Sequence, residues 1–387
     1  MNSHILRAFW LLFKVNVLCF LVVSNLLLYY MARNTKTVYN SDFVSYLTAG
    51  LLVREGRGER IYDLNTQSFY QKRVFWPMDR GDILPFRNPP FVALFFTPFA
   101  KMSFLEAYFI YLAFNIGILL VITVLISKTF KKLFNNKFWF ILPFAFYPIT
   151  LSLAKGQIAI LLVLVTLLLY CFSRTRPFLA GSVYSLFLIK PHYFLFGFPF
   201  ILLLIPDKKR FLKGVFISVL ILLLVSLYVA GLSSIISYPN FLLRTESETF
   251  GSPMGIPGKG MVSLYSSLIT FLPGSMGKTL SFLVFSFLYS LSLLFFTKRK
   301  GRLSFDRLFL IAIIFMSIFS THTLPYDLSF LLIPIFILIN SQKTSFLPWL
   351  LFVIPNLLVG GSQGLNPFIL LIVSFYLLFN KKRKLLA

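Results

Sequence analysis

Asp42 is the first acidic residue of the chain, and it follows shortly after the first long apolar run. Apolar side chains repeat at helical spacing beyond it, at Phe43, Leu47 and Leu51. This spacing predicts a short amphipathic helix over 42–54 that lies at a membrane surface. Asn40 or Ser41 is the predicted N-cap, which puts Asp42 in the first helical turn. Its carboxylate either complements the helix dipole, which the spacing alone favours, or is a catalytic base held just outside a bilayer.

A second polar segment separates two apolar runs near the other end of the chain. Residues 320–327 read Ser-Thr-His-Thr-Leu-Pro-Tyr-Asp. His322 is either a proton carrier or hydrogen-bond donor to a ligand hydroxyl, or a packed interfacial histidine with satisfied ring nitrogens. The same alternatives apply to His192, and there the packed role is favoured.

Lys190 and Gln157 stand at the ends of further apolar runs. Lys190 either holds a phosphate as a point charge or extends its ammonium toward water, which is the commoner role of a lone lysine there. Gln157 follows Gly156, and the pair combines close backbone approach with a side chain that both donates and accepts hydrogen bonds. A sugar or phosphate site needs these properties, although the dipeptide alone is a weak signal.

The composition indicates a polytopic membrane protein without a separate soluble domain. The chain has 387 residues, of which 58% are hydrophobic and 13% charged, and its mean hydropathy is +0.83. The net charge of +25 resides in short clusters between apolar runs, which is typical of cytoplasmic loops rather than of a nucleic-acid-binding face. Cys19 and Cys171 both lie in apolar segments, so we expect neither a disulfide framework nor a thiolate metal site.

Twelve apolar segments are candidate membrane spans, and several are too short for a straight crossing, which predicts broken or shallow helices and a count of about 10–13. The segments are 8–31, 104–127, 138–153, 157–173, 178–189, 193–206, 212–231, 279–297, 308–320, 325–339, 346–359 and 368–380.

The distribution of basic residues predicts the orientation. Connections on one side of the membrane carry 20 Lys or Arg, whereas the short connections on the other side carry three. Both termini are therefore expected in the cytoplasm. Residues 1–387 are interpreted as a single integral-membrane domain, with a first extracytoplasmic loop over 32–103 containing juxtamembrane helices and a second over 232–278. Loops of this length are usually functional.

An ordered set of short motifs resembles glycosyltransferase family 87. The set spans roughly residues 38–330 and consists of Asp42-Phe43 with Tyr46 and Ala49, Gly58 with Ile61-Tyr62-Asp63, Pro89-Pro90-Phe91, Gly156-Gln157, Ile189-Lys190-Pro191, and His322 ahead of Tyr326-Asp327. The chain departs from the family pattern at Gly260-Met261-Val262-Ser263, which replaces a Gly-Asn-Gln-Ser type stretch. It also departs at Thr321, where proline often precedes the histidine.

The resemblance implies an all-α GT-C-type fold and a hexosyltransferase of the plasma (inner) membrane, with its active site on the extracytoplasmic side. The implied donor is a polyprenyl-phosphate sugar, best known as mannose in this family, with glucose and arabinose left open. The acceptor is a hydroxyl of a glycolipid, polysaccharide or protein. Neither a metal nor another cofactor is implied, and the leaving group needs no nucleotide site.

The resemblance also implies roles for individual residues. Asp42 and His322 would be the catalytic residues. Asp42 would take the acceptor proton, and His322 would position a substrate or assist proton transfer. The remaining roles are binding ones: Lys190, Arg54 and Arg87 for the donor phosphate, and Tyr62, Gln157, Tyr326 and Asp327 for the sugar or acceptor.

Two other classes of function are compatible with an apolar chain of this kind. A lipid or solute transporter would explain the many broken spans, but it predicts two similar halves. Residues 1–190 and 191–387 show no repeat. A non-catalytic membrane scaffold is disfavoured because both outer loops combine aromatic and charged residues.

Overall fold

A computed structural model describes residues 3–76, 83–246, 261–341, 346–356 and 366–379. Over these ranges the chain is helical and has no strand. The α-helices are α1 (Ser3–Arg33), α2 (Thr35–Tyr39), α3 (Phe43–Arg54), α4 (Leu64–Phe75), α5 (Pro90–Phe96), α6 (Phe104–Thr129), α7 (Leu142–Ala145), α8 (Tyr147–Ala154), α9 (Ala159–Phe172), α10 (Pro177–Ser185), α11 (Pro191–Leu204), α12 (Lys208–Glu246), α13 (Leu264–Phe271), α14 (Gly274–Arg299), α15 (Phe305–Phe319), α16 (Leu332–Ser341), α17 (Leu347–Asn356) and α18 (Asn366–Phe379). Short 3₁₀ helices cover Gly58–Arg60, Phe99–Lys101, Lys137–Ile141, Leu186–Ile189 and Pro325–Leu331.

Within the described ranges, four helices are long and apolar enough to cross a membrane unaided: Arg7–Arg33, Phe104–Thr129, Lys208–Thr245 and Gly274–Arg299. At most a third of the most apolar stretch of each is buried in the protein, so their apolar side chains are available to lipid. Lys137–Ala145 and Tyr147–Ala154 form a further pair, bent by 50°. Each of the twelve predicted segments coincides with helix where it is described, and the chain is an all-α polytopic membrane protein.

The centre of the molecule is formed by α15 and by the apolar segment Pro325–Ser341. Every residue of α15 from Arg307 to Phe319 is buried, and α15 packs against α11 and α18. The 3₁₀ helix Pro325–Leu331 packs against α8 and α9. Because these short segments are apolar on all sides, surrounding helices cover them and lipid does not reach them.

Helices α2 to α5 form a second apolar cluster beside this core. We expected α3 to lie half-exposed at a membrane surface, but nine of its residues are buried, including every one from Phe43 to Gly50. Helices α4 and α5 pack on it, which periodicity within 42–54 alone did not reveal. The N-terminus of α3 is thereby held inside the protein.

The second outer loop was predicted to begin at residue 232, but helix α12 continues to Glu246. The backbone turns at Gly231, whose φ of 69° is in the left-handed region that glycine adopts without steric cost. The helix that carries the apolar span therefore ends at the predicted place, and a second helical segment follows it as far as Glu246. Residues 247–260, including Gly260 of the divergent motif, lie outside the described residues.

Candidate active site

Asp42 itself occupies the N-cap position of α3, where Asn40 or Ser41 was expected, and makes no capping hydrogen bond with its side chain. The Gln157 side-chain amide instead donates a hydrogen bond of 2.6 Å to Asp42 Oδ2. Asp42 is half-buried. Since the carboxylate faces a residue 115 positions away and leaves the helix terminus uncapped, capping does not explain its presence.

Gln157 is fixed by its surroundings. Gly156 has a φ of +60°, and a Cβ there would stand 2.6 Å from the Cβ of Phe43, so the loop before α9 lies directly against the start of α3. The Tyr46 hydroxyl donates to Gln157 Oε1 at 2.9 Å. Tyr46 and Gln157 are 3% and 4% exposed. The amide is thus held between a tyrosine hydroxyl and a carboxylate.

Lys190 and Asp327 form a buried ion pair next to this group. The Asp327 Oδ2 atom also accepts a hydrogen bond of 3.1 Å from the Leu324 amide. The Lys190 ammonium lies 4.9 Å from the centre of the Tyr326 ring. The Tyr326 hydroxyl lies near the Asp42 carboxylate, so Tyr326 is adjacent to both the ion pair and Asp42.

His322 lies in the connection between α15 and the 3₁₀ helix Pro325–Leu331, and its ring centre is 5.7 Å from that of His192. Burial lowers the pKa of His322 well below its usual value, and the nearby His192, Arg87 and Lys190 lower it further. The imidazole is therefore neutral near pH 7. The His192 Nε2 atom is buried and has no hydrogen-bond partner among the described residues.

The segment before α5 also contacts this cluster. Arg87 donates to the Thr245 carbonyl at 2.7 Å, and it lies close enough to His322 to affect its pKa. The Asn88 side chain donates to the Ile189 carbonyl at 2.8 Å, directly beside Lys190. Arg87 is thus at the edge of the cluster that contains Lys190 and His322.

Two predicted site residues are placed differently. The buried Tyr62 hydroxyl donates to the Asn88 carbonyl at 2.8 Å, so it supports the segment before α5 and its hydroxyl is already engaged. Arg54 ends α3, about 18 Å from Asp42 by the helical rise, and donates to the Ala100 carbonyl at 2.7 Å. It lines cavities of about 500 and 710 Å³, and Asp42 lines neither.

The structure therefore brings together seven of the nine predicted residues and leaves Tyr62 and Arg54 aside. The seven are Asp42, Gln157, Lys190, His322, Tyr326, Asp327 and Arg87. It adds Tyr46, His192 and Asn88, which lie within four residues of predicted ones, but only the fold reveals which way they face. Among the described residues no group of three or more His, Cys, Asp or Glu is arranged to hold a metal ion.

The fold and the site together define the class of protein. It is a polytopic membrane protein with a polar site inside it, formed by carboxylates, a lysine and histidines at the ends of apolar segments. The model of glycosyltransferase family 87 matches residues 86–321, which is more than half of the chain. The chain belongs to this family and is a membrane glycosyltransferase.

The matched region contains Arg87, Gln157 and Lys190, whereas Asp42 and the segment from His322 onward lie outside it. The fold brings these parts into one cluster. Searches of curated proteins and of solved structures gave no match.

Proposed function

We propose that this chain is an inverting hexosyltransferase that moves mannose from a polyprenyl-phosphate donor to an acceptor hydroxyl on the extracytoplasmic side of the plasma membrane. The observation that carries the proposal is the position of Asp42. Its carboxylate is half-buried, makes no capping bond, and lies near Tyr326, which is adjacent to the Lys190–Asp327 pair. In this proposal Asp42 is the base and Lys190 the cation, and the two act on the same reacting centre. The resemblance to polyprenol-phosphate-mannose-dependent enzymes supplies the donor class.

Asp42 acts as the general base in this proposal. It accepts the proton of the acceptor hydroxyl while that oxygen forms a bond to the anomeric carbon. The bond between the anomeric carbon and the phosphate oxygen breaks, and its electron pair leaves with the polyprenyl phosphate. Attack opposite the leaving group inverts the anomeric configuration.

Lys190 and Arg87 neutralise the leaving phosphate, and the neutral His322 imidazole donates a hydrogen bond to it or to the sugar. Lys190 already faces Asp327, so the donor phosphate shares a cation that the protein holds in place. Tyr326 and Asp327 border the region where the sugar lies. Because Lys190 and Asp327 are buried, their charges act with little screening by water.

The outer location rests on charge and on the shared placement of the site. The excess of Lys and Arg in the alternate connections favours cytoplasmic termini. Asp42, Lys190 and His322 all fall in connections assigned to the opposite side. A donor with a polyprenyl tail reaches this side from within the bilayer.

The test uses the full chain purified into proteoliposomes. The donor is polyprenyl phosphate carrying labelled mannose, with glucose and arabinose donors in parallel, and the acceptor is a lipid extract of cells that lack this chain. We expect a new labelled glycolipid with mannose, identified by mass spectrometry. No covalent product with any donor would contradict the proposal, and movement of intact donor across the bilayer without product would favour a transporter.

A further inference from the structure

We infer that Tyr46 and Gln157 form a positioning pair that fixes the orientation of the Asp42 carboxylate. This inference rests on the proposed function and adds two residues that do not touch the reacting atoms. The pair is a continuous chain of hydrogen bonds, from the Tyr46 hydroxyl to Gln157 Oε1 at 2.9 Å, and from Gln157 Nε2 to Asp42 Oδ2 at 2.6 Å.

The direction of this chain is fixed by charge. An ionised carboxylate only accepts hydrogen bonds, so the amide must present its N–H groups to Asp42 and its oxygen to the opposite side. Tyr46 occupies that side with a hydroxyl that donates. If the amide turned over, its oxygen would face the carboxylate and Tyr46 would lose its acceptor. Tyr46 therefore specifies the orientation of Gln157.

The backbone around Gln157 keeps the amide in place. The Gln157 amide nitrogen donates to the Ser152 carbonyl at 2.8 Å, and the Tyr111 hydroxyl donates to the Gln157 carbonyl at 3.4 Å. Gly156 adopts the left-handed conformation directly against Phe43. Tyr46 and Asp42 both lie at the start of α3, so they keep a fixed spacing, and Gln157 bonds to both of them.

The chemical effect follows from which form of the carboxylate the amide stabilises. A donated hydrogen bond favours the charged form, whereas nearby negative charge disfavours it. The groups that face Asp42 are Gln157, Tyr46, Tyr326 and, further away, the Asp327–Lys190 pair. A charged group placed at Gln157 should therefore alter the pH profile of transfer as well as its rate.

A residue that served only as packing would behave differently. It would lower the amount or stability of folded protein, or raise the KM for the donor, without moving the pH profile. A positioning residue lowers kcat because the base is misplaced or protonated, while the donor phosphate site remains intact.

The experiment compares Gln157→Glu, Gln157→Ala and Tyr46→Phe in proteoliposomes, with kcat and donor KM measured from pH 5 to 9. In Gln157→Glu a second carboxylate faces Asp42, and we expect the acid limb of the kcat profile to move up by about one pH unit or more. In Gln157→Ala we expect kcat to fall about 10-fold with donor KM within about threefold. Tyr46→Phe keeps the ring and should lower kcat in the same way, to a smaller extent.

Tyr108→Phe is the matched control. The Tyr108 hydroxyl is also buried and donates to a backbone carbonyl, that of Ala154, at 2.8 Å. The Tyr108 hydroxyl makes no bond to Gln157 or Asp42, so the pH profile of transfer by Tyr108→Phe should equal that of the wild type. If Gln157→Glu does not accumulate as folded protein, Tyr46→Phe against Tyr108→Phe decides the matter.

Asp42→Asn, measured in parallel, distinguishes a failure of the proposed function from a failure of the positioning pair. Full transfer by Asp42→Asn contradicts the proposed function and the positioning pair with it. Loss of transfer in Asp42→Asn, together with wild-type pH profiles and kcat in the Gln157 and Tyr46 variants, contradicts the positioning pair alone.

Discussion

The Lys190 ammonium and the Asp327 carboxylate form an ion pair between residues 137 positions apart in the sequence. Their side chains are 9% and 0% exposed. The pair joins the start of α11 to the 3₁₀ helix Pro325–Leu331, and the Tyr326 ring lies against its cationic end. It is at once a structural link between two central segments and a source of positive charge beside Asp42.

Removal of one partner should destabilise the protein strongly. Lys190→Met leaves Asp327 buried without its counter-charge, which typically costs about 3–5 kcal/mol. In Lys190→Met/Asp327→Asn no uncompensated charge remains, and Asn still accepts from the Leu324 amide. Thermal stability in detergent should therefore recover in the double variant. Transfer should not recover, because the cation for the donor phosphate is still missing.

The exposed pair Arg73–Glu55 is the control. Its side chains are 56% and 30% exposed, so Arg73→Ala should change the unfolding free energy by less than about 1 kcal/mol. If Lys190→Met were equally mild, the structural role of Lys190 would be contradicted. If the double variant transferred sugar at the wild-type rate, its role toward the donor phosphate would be contradicted.

Gly156→Ala should separate α3 from the loop that carries Gln157. The added Cβ would meet Phe43 at 2.6 Å, at a φ of +60° that other residues rarely adopt. Overpacking of this kind costs about 1–3 kcal/mol, and we expect a lower melting temperature together with reduced transfer.

Gly117→Ala in α6 supplies the comparison, since no atom lies within 4 Å of a Cβ added there. Alanine is the better helix former by about 0.5–1 kcal/mol, so this variant should be neutral or slightly stabilised. A Gly156→Ala protein as stable and active as Gly117→Ala would show that the contact between α3 and the Gln157 loop is unimportant.

Arg87 and Arg54 were equal candidates for the donor phosphate, and their positions now distinguish them. Arg87 lies near His322, whereas Arg54 lies at the far end of α3 and bonds to Ala100. Arg87→Met should raise the donor KM or lower kcat by about 10-fold or more, as expected for a lost charge-assisted contact of about 1.5–3 kcal/mol. Arg54→Met should keep both within about threefold. Initial rates at varied donor concentration check this. A larger effect of Arg54→Met than of Arg87→Met would contradict the proposed position of the site.

His322 should make the protein less stable in mild acid. Its pKa is lowered in the folded state, so below its usual value of about 6.5 the unfolded chain binds a proton that the folded chain resists. Stability is therefore full above that pH and is lost as the pH falls below it, by up to about 1.4 kcal/mol per pH unit. His322→Asn should reduce this dependence in melting curves between pH 7.5 and 5, after correction for its own packing loss at pH 7.5. An unchanged slope would contradict a neutral, buried imidazole.

The helices were predictable because each apolar run is bounded by charged residues, Pro or Gly, and the periodicity within a run is a local property. The helical segment after the break at Gly231 was not, since it contains polar and proline residues. The burial of α3 was also missed, because a short helix covered by α4 and α5 differs little in sequence from one lying on a membrane.

The candidate site was predictable where a polar residue interrupts an apolar run, as at Lys190 and His322. It was not predictable where the decisive fact is a partner. Tyr62 and Tyr46 are both outer-loop tyrosines, yet Tyr62 bonds to the Asn88 backbone and Tyr46 to the Gln157 side chain. Gln157 was expected to bind a hydroxyl directly, whereas its amide faces Asp42 and Tyr46. Sequence patterns give the residue types, and the packing of distant segments selects among them.

The central claim is that Asp42 is the base for sugar transfer, and the most direct measurement is the initial rate of Asp42→Asn at equal amounts of folded protein. Asparagine keeps the shape and a hydrogen bond to Gln157 but cannot take up the acceptor proton. Transfer from polyprenyl-phosphate mannose should fall by ~10²-fold or more, with melting temperature close to that of the wild type. A rate within about twofold of the wild type would contradict the account.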